Sequence, residues 1–365
     1  GTATGGGVDY TASSATITIL AGDLTGTATI TSVQDAIYEG DETVIVDITG
    51  VTNATESGTQ QEIVTITDDE SAPTVTLSTD LATITEAPEV STVTATLNNA
   101  TTVDVDVTLG YTGTATGGGV DYTASSTTIT ILAGDLTGTA TITSVQDAIY
   151  EGDETVIVDI TGVTNATESG TQQETVTITD DESAPNVTIS ASSPIDEAAG
   201  TSTVTATLDA VSGLDVTVNL TYSDGTATLT NDYTVTTSQI IIPAGSLSAG
   251  VTGITAVQDL LDENDETVLV DINSITNGTD NSTQQTITIT DDDAAPNVTL
   301  GVTSPIAEAA GTSTVTATLD AISGLDVTVD LTYSDGTATL TNDYTVTTSQ
   351  IIIPAGSLSA GVTGI

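Results

Sequence analysis

The sequence contains no lysine, arginine or histidine, whereas 51 of its 365 residues are aspartate or glutamate, so the formal net charge is −51. No internal salt bridge between side chains can form, and neighbouring carboxylates repel one another unless cations from solution lie between them. Binding to nucleic acid or to an anionic membrane surface is not expected, because phosphate groups are recognised mainly by lysine and arginine.

Cysteine, tryptophan, phenylalanine and methionine are also absent. Without cysteine, no disulfide bond can stabilise the fold. Without histidine, cysteine and lysine, the chain offers no Ser-His or Cys-His nucleophile pair and no Schiff-base lysine. Two carboxylates can hydrolyse a glycoside, but neither tryptophan nor phenylalanine is present to stack on a sugar ring. We therefore predict that the protein is not an enzyme.

Long apolar runs are missing as well. No stretch approaches the ~20 residues that a membrane-spanning helix requires. The first residues show neither a charged start nor an apolar signal region. We expect no direct membrane insertion, and we expect any export signal or anchor to lie outside this sequence.

The sequence is rich in valine, isoleucine and leucine that alternate with threonine over short segments separated by turn residues. Disorder is the alternative for a chain with much charge and few aromatics, but 37% hydrophobic residues in alternation are typical of strands. The pattern predicts an all-β fold of tandem, immunoglobulin-like antiparallel β-sandwiches. Strands are predicted at residues 91–97, 103–109, 128–132, 139–143, 155–160 and 175–179.

The chain repeats itself with a period of about 112 residues. The segment GTATGGGVDY at residues 1–10 returns at 113–122, and related segments begin at residues 225 and 336. Residues 1–71 differ from 113–183 at only two positions, which indicates recent duplication within a longer array. Boundaries before each Ala-Pro junction predict a partial repeat (C-terminal part) at 1–71, complete repeats at 72–183 and 184–294, and a partial repeat (N-terminal part) at 295–365. We expect the termini to cut through domains.

Acidic residues occupy four places in each complete unit: near the first strand, in the glycine-rich loop, in the connection before a long strand, and directly after the last strand. Ca²⁺ takes six to eight oxygen ligands, and loops at one end of a sandwich can supply them. A solvated acidic surface is the alternative, but the repetition of all four parts in a chain without basic residues favours Ca²⁺. Five acids that alternate with apolar residues inside strands are expected to face solvent: Asp47, Asp104, Asp106, Asp159 and Asp271.

Four ordered motifs of the second unit resemble the Calx-β domain family. They are Glu86, the segment 119–122 (GVDY), the segment 147–155 (DAIYEGDET) and the segment 177–182 (TITDDE). The resemblance covers essentially the whole chain, and it implies an antiparallel β-sandwich with a Ca²⁺ cluster at one end. Such domains occur in sodium–calcium exchangers, integrin β4 and bacterial surface proteins.

The ligands of Ca²⁺ that this resemblance implies can be named for each unit. The first has Asp9, Asp35, Glu39, Glu42, Asp68, Asp69 and Glu70 with the Ile37 carbonyl; the second has Glu86, Asp121, Asp147, Glu151, Glu154, Asp180, Asp181 and Glu182 with the Ile149 carbonyl; the third has Glu197, Asp232, Asp259, Glu263, Glu266, Asp291, Asp292 and Asp293 with the Leu261 carbonyl; the last keeps Glu308 and Asp343. In the third unit Asp262 replaces a tyrosine and Asn264 replaces a glycine, so this loop is expected to hold the ion differently.

The function predicted from these features is structural: a Ca²⁺-rigidified extracellular repeat array that forms an adhesin stalk or surface fibre. Its expected partners are calcium and the neighbouring repeats of the chain, while lateral or end-to-end association into fibres is left open. One alternative is a ligand-binding adhesion module for a glycan, ice or a host receptor, which irregular inserts in one repeat would favour. The other is a regulatory Ca²⁺ sensor. Eight glycosylation sequons also leave glycan attachment open.

Overall fold

A computed structural model describes residues 1–363, which form 31 β-strands and no helix. The predicted last segment, 295–365, thus extends two residues beyond the described part. Two compact units follow one another, residues 1–182 and the residues from 183 onward. The all-β prediction is confirmed. Residues 1–363 include no helix long and apolar enough to cross a membrane.

The strands of the first unit are short, and most have between two and nine residues. They are β1 Tyr10–Ala12, β2 Ile30–Ser32, β3 Ile37–Tyr38, β4 Glu42–Asp47, β5 Gln61–Ile66, β6 Thr74–Thr79, β7 Thr83–Thr85, β8 Val90–Leu97, β9 Ala100–Thr101, β10 Val105–Gly113, β11 Tyr122–Ala124, β12 Thr128–Ile131, β13 Thr137–Ser144, β14 Glu154–Thr164, β15 Thr167–Glu168 and β16 Gln173–Thr179.

The second unit repeats the same succession of elements. Its strands are β17 Asn186–Ala191, β18 Ile195–Asp196, β19 Thr201–Leu208, β20 Val216–Asp224, β21 Tyr233–Val235, β22 Gln239–Ile242, β23 Ser248–Ala256, β24 Glu266–Thr276, β25 Thr279–Asp280, β26 Gln285–Thr290, β27 Val298–Val302, β28 Thr314–Leu319, β29 Val327–Asp330, β30 Gln350–Ile353 and β31 Ser359–Thr363.

Residues 74–179 form a sandwich of two five-stranded sheets, with strand orders β12-β10-β14-β16-β7 and β11-β13-β8-β6-β15. Alternation places one face of each strand in the core: Val93, Ala95 and Leu97 of β8 are buried, while the threonines between them are partly exposed. The pairs are antiparallel except at two edges, where β7 joins β16 and β15 joins β6 in parallel. The sandwich prediction is confirmed, and these parallel edges are additions to it.

The third repeat has the same two-sheet topology, with strand orders β21-β23-β19-β17-β25 and β18-β26-β24-β20-β22. The first segment, by contrast, has no counterpart of β8 or β10 within the described chain. Val46 is therefore 45% exposed, although Val158, its counterpart in the second repeat, is completely buried. The last segment contains the smaller sheets β27-β28-β31 and β29-β30.

The predicted strand at 103–109 was placed two residues too early. Strand β10 begins at Val105, and Asp104 lies outside it, where one carboxylate oxygen accepts a hydrogen bond from the Ala133 backbone N–H at 2.9 Å. An aspartate that bonds a turn in this way competes with strand pairing. Asp104 is exposed as expected, but its assignment to a strand was wrong.

Strand pairing also brings the acidic segments together at one end of the sandwich. Glu154, the first residue of β14, pairs with Ile178 near the end of the antiparallel strand β16. The loop that precedes β14 therefore lies beside the acidic triplet that follows β16. Strand β7 runs parallel to β16, so Glu86, directly after β7, reaches the same end.

Six of the eight sequon asparagines already use their side-chain amide nitrogen as a donor within the fold. Glycan attachment at these positions would place a sugar on an amide that now contacts the protein. The six are Asn99, Asn165, Asn186, Asn219, Asn277 and Asn297.

Candidate metal centre

The second repeat contains two groups of three acids at the end of the sandwich. Asp121, Asp147 and Glu151 form the first group, and Glu86, Asp181 and Glu182 form the second. In each group, one carboxylate oxygen from every residue lies within 4.8 Å of the others. Asp121 is only 7% exposed and Glu86 only 8%. The structure thus brings together acids that are up to 96 positions apart in the sequence.

The Asp180 side chain fastens the two acidic segments to each other. Its Oδ2 accepts hydrogen bonds from the backbone N–H groups of Glu151 at 2.9 Å and Gly152 at 2.6 Å, and its Oδ1 accepts one from Glu182 at 3.0 Å. Gly152 has a φ of 75°, which glycine adopts without steric cost. Asp180 therefore shapes the loop that presents Glu151.

Gln146 is a residue of the candidate metal centre that was not predicted from the sequence. Its Nε2 donates to Asp181 Oδ1 at 2.9 Å, to Glu182 Oε1 at 3.3 Å and to the Asp147 carbonyl at 2.9 Å. The amide holds the acidic triplet against the loop and provides a neutral donor where no lysine or arginine exists. The sequence does indicate this role, because a glutamine precedes the first aspartate of the loop in every copy.

The first segment reproduces much of this arrangement. Asp9, Glu39 and Glu42 form a three-acid group with the same 4.8 Å limit. Asp68 Oδ2 accepts hydrogen bonds from Glu39 N–H at 2.8 Å and Gly40 N–H at 2.6 Å. Burial acts to raise the pKa of Asp68, but these backbone donors outweigh it, and the pKa lies below the ordinary value.

The third repeat has two groups as well: Asp232, Glu263 and Glu266, and Glu197, Asp291 and Asp293. Its loop differs from that of the second repeat. Asn264 does not share the left-handed φ of Gly152, and Asp291 Oδ2 receives one backbone donor, Glu263 N–H at 3.2 Å. The loop therefore follows another path around Asp291.

Several predicted ligands lie outside the three-acid groups of residues 1–363. The three residues whose carbonyls are predicted ligands share one feature. The backbone N–H of each donates a hydrogen bond to the side chain of the aspartate two residues earlier: Ile37 to Asp35 at 2.8 Å, Ile149 to Asp147 at 2.7 Å and Leu261 to Asp259 at 2.7 Å. Glu308 and Asp343 are exposed. The acids outside the groups are Asp35, Asp68, Asp69, Glu70, Glu154, Asp180, Asp259, Asp292, Glu308 and Asp343.

Desolvation and crowding raise the pKa values of several glutamates at the acidic ends. Desolvation, together with a hydrogen bond and repulsion from Asp121, raises the pKa of Glu154 to about 7. Desolvation and repulsion from Asp232 raise the pKa of Glu266 to about 7, and desolvation with the neighbouring Asp180 and Asp181 does the same for the pKa of Glu182. Without cations, these acids would hold protons near neutral pH to lower their repulsion.

Among residues 1–363, three carboxylate oxygens are buried without any hydrogen-bond partner: Asp9 Oδ1, Glu182 Oε2 and Asp293 Oδ2. Each belongs to a different repeat and to one of the three-acid groups. A buried acceptor without a donor is costly, and the chain has no cationic side chain to supply one. The side chains of the three-acid groups offer only oxygen ligands, which Ca²⁺ and other hard cations prefer. The residues present therefore fit such an ion.

The sequence profile of the Calx-beta domain matches four successive stretches, residues 1–70, 68–182, 180–293 and 291–360. The chain belongs to the Calx-beta domain family. Its repeats are thus tandem Calx-beta domains, and the acidic ends described above lie in domains of a family known for calcium binding. A comparison with curated proteins finds no match.

Three of the solved structures to which this chain is similar are the following. A tetra-tandem repeat in the extending region of a large adhesion protein is 18% identical, covers 96% of this chain and 82% of its own, and has a TM-score of 0.43. CBD12 from CALX1.2 is 15% identical, with coverages of 59% and 99% and a TM-score of 0.29. The Yersinia pseudotuberculosis adhesin InvE is 14% identical, with coverages of 66% and 66% and a TM-score of 0.29.

Proposed function

We propose that this chain is a structural array of Calx-beta repeats whose acidic ends bind Ca²⁺ and become rigid when they do. The observation that carries the proposal is the set of partnerless buried oxygens of Asp9, Glu182 and Asp293. A purely solvated acidic surface would not leave such oxygens buried, because each would be hydrated or bonded to a donor.

In the second repeat, Asp121, Asp147 and Glu151 would hold one ion, with Glu154 beside them. Glu86, Asp181 and Glu182 would hold another. Bound Ca²⁺ supplies two positive charges per ion, which replace the repulsion among the carboxylates by attraction. The hydrogen bonds of Asp180 and Gln146 arrange the loops in advance, so little further ordering is needed on binding.

Stiffening follows from the position of the acidic triplets. Two residues separate Glu70, the last acid of its triplet, from Pro73, and two separate Asp293 from Pro296. An ion held by a triplet would also fix the short linker after it, and so the angle to the next repeat. For this role we retain the predicted boundaries 1–71, 72–183, 184–294 and 295–365.

We place the array outside the cell, as the stalk of an adhesin or the body of a surface fibre. Extracellular modules bind Ca²⁺ with a Kd of ~10⁻⁴–10⁻³ M, which suits external fluids. The absence of lysine and arginine leaves no trypsin-type cleavage site in the sequence, which is an advantage for an exposed fibre.

Small-angle scattering tests the proposal. The particle is expected to be longest in millimolar Ca²⁺ and to become shorter when a chelator is added. Mg²⁺ at the same ionic strength is the control, because it screens charge equally but prefers fewer and more rigidly placed ligands. Identical scattering in Ca²⁺, Mg²⁺ and chelator would contradict rigidification.

A further inference from the structure

The acidic loop of the third repeat contacts the repeat that follows it. Asp262 forms a parallel β-bridge with Ser323. The Gly324 N–H donates to the Asp262 carbonyl at 3.1 Å, and Ser323 Oγ donates to the same carbonyl at 3.3 Å and to Asp262 Oδ2 at 3.2 Å. Ser323 is only 1% exposed. These bonds tie the loop to a buried position of the next repeat.

Gly324 is packed against the neighbouring side chain, Glu263. A Cβ atom added at Gly324 would lie 2.4 Å from Glu263 Oε1, 2.6 Å from its Cγ and 2.9 Å from its Cδ. The φ of Gly324 is not in the left-handed region. Glycine is therefore needed at this position for lack of space and not for its backbone conformation. Glu263 is also a member of the three-acid group with Asp232 and Glu266.

The first junction of the chain lacks this contact. There Ile37 and Tyr38 pair with Ala100 and Thr101, and Thr102 stands at the position equivalent to Gly324. A cleft of about 450 Å³ borders Thr102 and Glu39, the counterpart of Glu263. The ligand loop thus pairs with the next repeat at both of these junctions, but of the two, only the one after the third repeat places an acid against a glycine.

We propose that Ser323 and Gly324 are positioning residues for the cation site of the third repeat, so that the following repeat sets the affinity of the site before it. The inference rests on the proposed Ca²⁺ binding. Ser323 fixes the loop through Asp262, and the bare backbone of Gly324 leaves room for the Glu263 side chain beside Asp232. Pre-arranged ligands bind more tightly, because less freedom is lost on binding.

Hydrogen exchange followed by mass spectrometry of the intact chain can test this. Residues 257–266 have a unique sequence, whereas residues 33–42 and 145–154 are identical and report together. Protection of the unique peptide, titrated with Ca²⁺, gives a midpoint for the third repeat. The shared peptide gives an internal reference in the same sample. Peptic digestion suits a chain without lysine and arginine.

Gly324→Ala is expected to raise the Ca²⁺ midpoint of residues 257–266 about five-fold or more, the lower end of usual coupling between sites. The cheapest relief of the clash moves the Glu263 carboxylate, so the fold should persist and the shared peptide should keep its midpoint. Gly301→Ala is the matched control, because a Cβ there has no atom within 4 Å.

Ser323→Ala should also raise the Ca²⁺ midpoint of residues 257–266, whereas Ser323→Thr should keep it at the wild-type value. The hydroxyl is kept in Ser323→Thr, and Thr101 occupies the equivalent buried position of the second repeat. An unchanged midpoint in Gly324→Ala, with the other peptides still responding to Ca²⁺, would overturn the positioning role alone. If no loop in the wild-type chain gains protection with Ca²⁺, the proposed function itself fails.

Discussion

Removal of Ca²⁺ is the perturbation that separates ion binding from general charge screening. In the structure each complete repeat holds two three-acid groups. For a Kd of ~0.1 mM, 10 mM Ca²⁺ is one hundred times the Kd, and each occupied site then stabilises the folded repeat by about 2.7 kcal/mol. Two sites together contribute about 5 kcal/mol.

This free energy converts into a large change in melting temperature. An unfolding entropy of about 2.1 cal/mol/K per residue gives roughly 0.24 kcal/mol/K for a repeat of ~112 residues. Chelation should therefore lower the Tm of the complete repeats by roughly 20 °C, measured by scanning calorimetry. The incomplete segments, with one group or none, should shift less.

The control is Mg²⁺ at equal concentration and ionic strength. Screening of 51 carboxylates stabilises the fold with either ion. Specific binding predicts that Ca²⁺ raises the Tm by many degrees more than Mg²⁺. An equal rise with both ions would refute the proposed sites and leave a solvated acidic surface as the explanation.

Three further predictions concern single groups, each read by calorimetry with Ca²⁺ and with chelator. Glu154→Gln should raise the Tm in chelator, because it removes a crowded charge, and should reduce the gain from Ca²⁺; a parallel change in both conditions would contradict a ligand role. Asp180→Asn should lower the free energy of unfolding by about 1.5–3 kcal/mol in both conditions, because an amide nitrogen would face the N–H groups of Glu151 and Gly152. The control Asp159→Asn, on a strand, should change it little. In chelator, the chain should be more stable at pH 5 than at pH 8: Glu154 and Glu266 have a pKa of about 7 in the fold and 4.5 unfolded, so the folded state binds more protons between these values and loses that stability as the pH rises through 7. Greater stability at pH 8 in chelator would show that the acids do not repel one another as described.

The sandwich could be predicted from alternation because burial of one face leaves a period of two in the sequence. In β8 every second residue is buried, and the strand was predicted within one residue of its start. The edge strands β7 and β15 could not be found in this way. They have three and two residues, too few for a period, and their parallel partners are distant in sequence.

The acids that meet in the three-acid groups could be predicted, because they recur in a chain that has no basic residue. Their individual tasks could not. Asp180 and Glu182 are neighbours in one triplet, yet Asp180 is occupied by three backbone donors, while Glu182 keeps a buried oxygen without any. That difference depends on the direction of each side chain relative to a loop about thirty residues away, which sequence spacing does not contain.

The acidic loops of the first two repeats are identical in sequence, but their aspartates have different surroundings in the structure. Residues 33–42 and 145–154 have the same sequence, but Asp147 joins a three-acid group, whereas its counterpart Asp35 is exposed and joins none. The Asp147 N–H donates at 3.3 Å to Glu86 Oε1, which lies 61 positions earlier in the sequence. The sequence of the loop alone does not specify this contact.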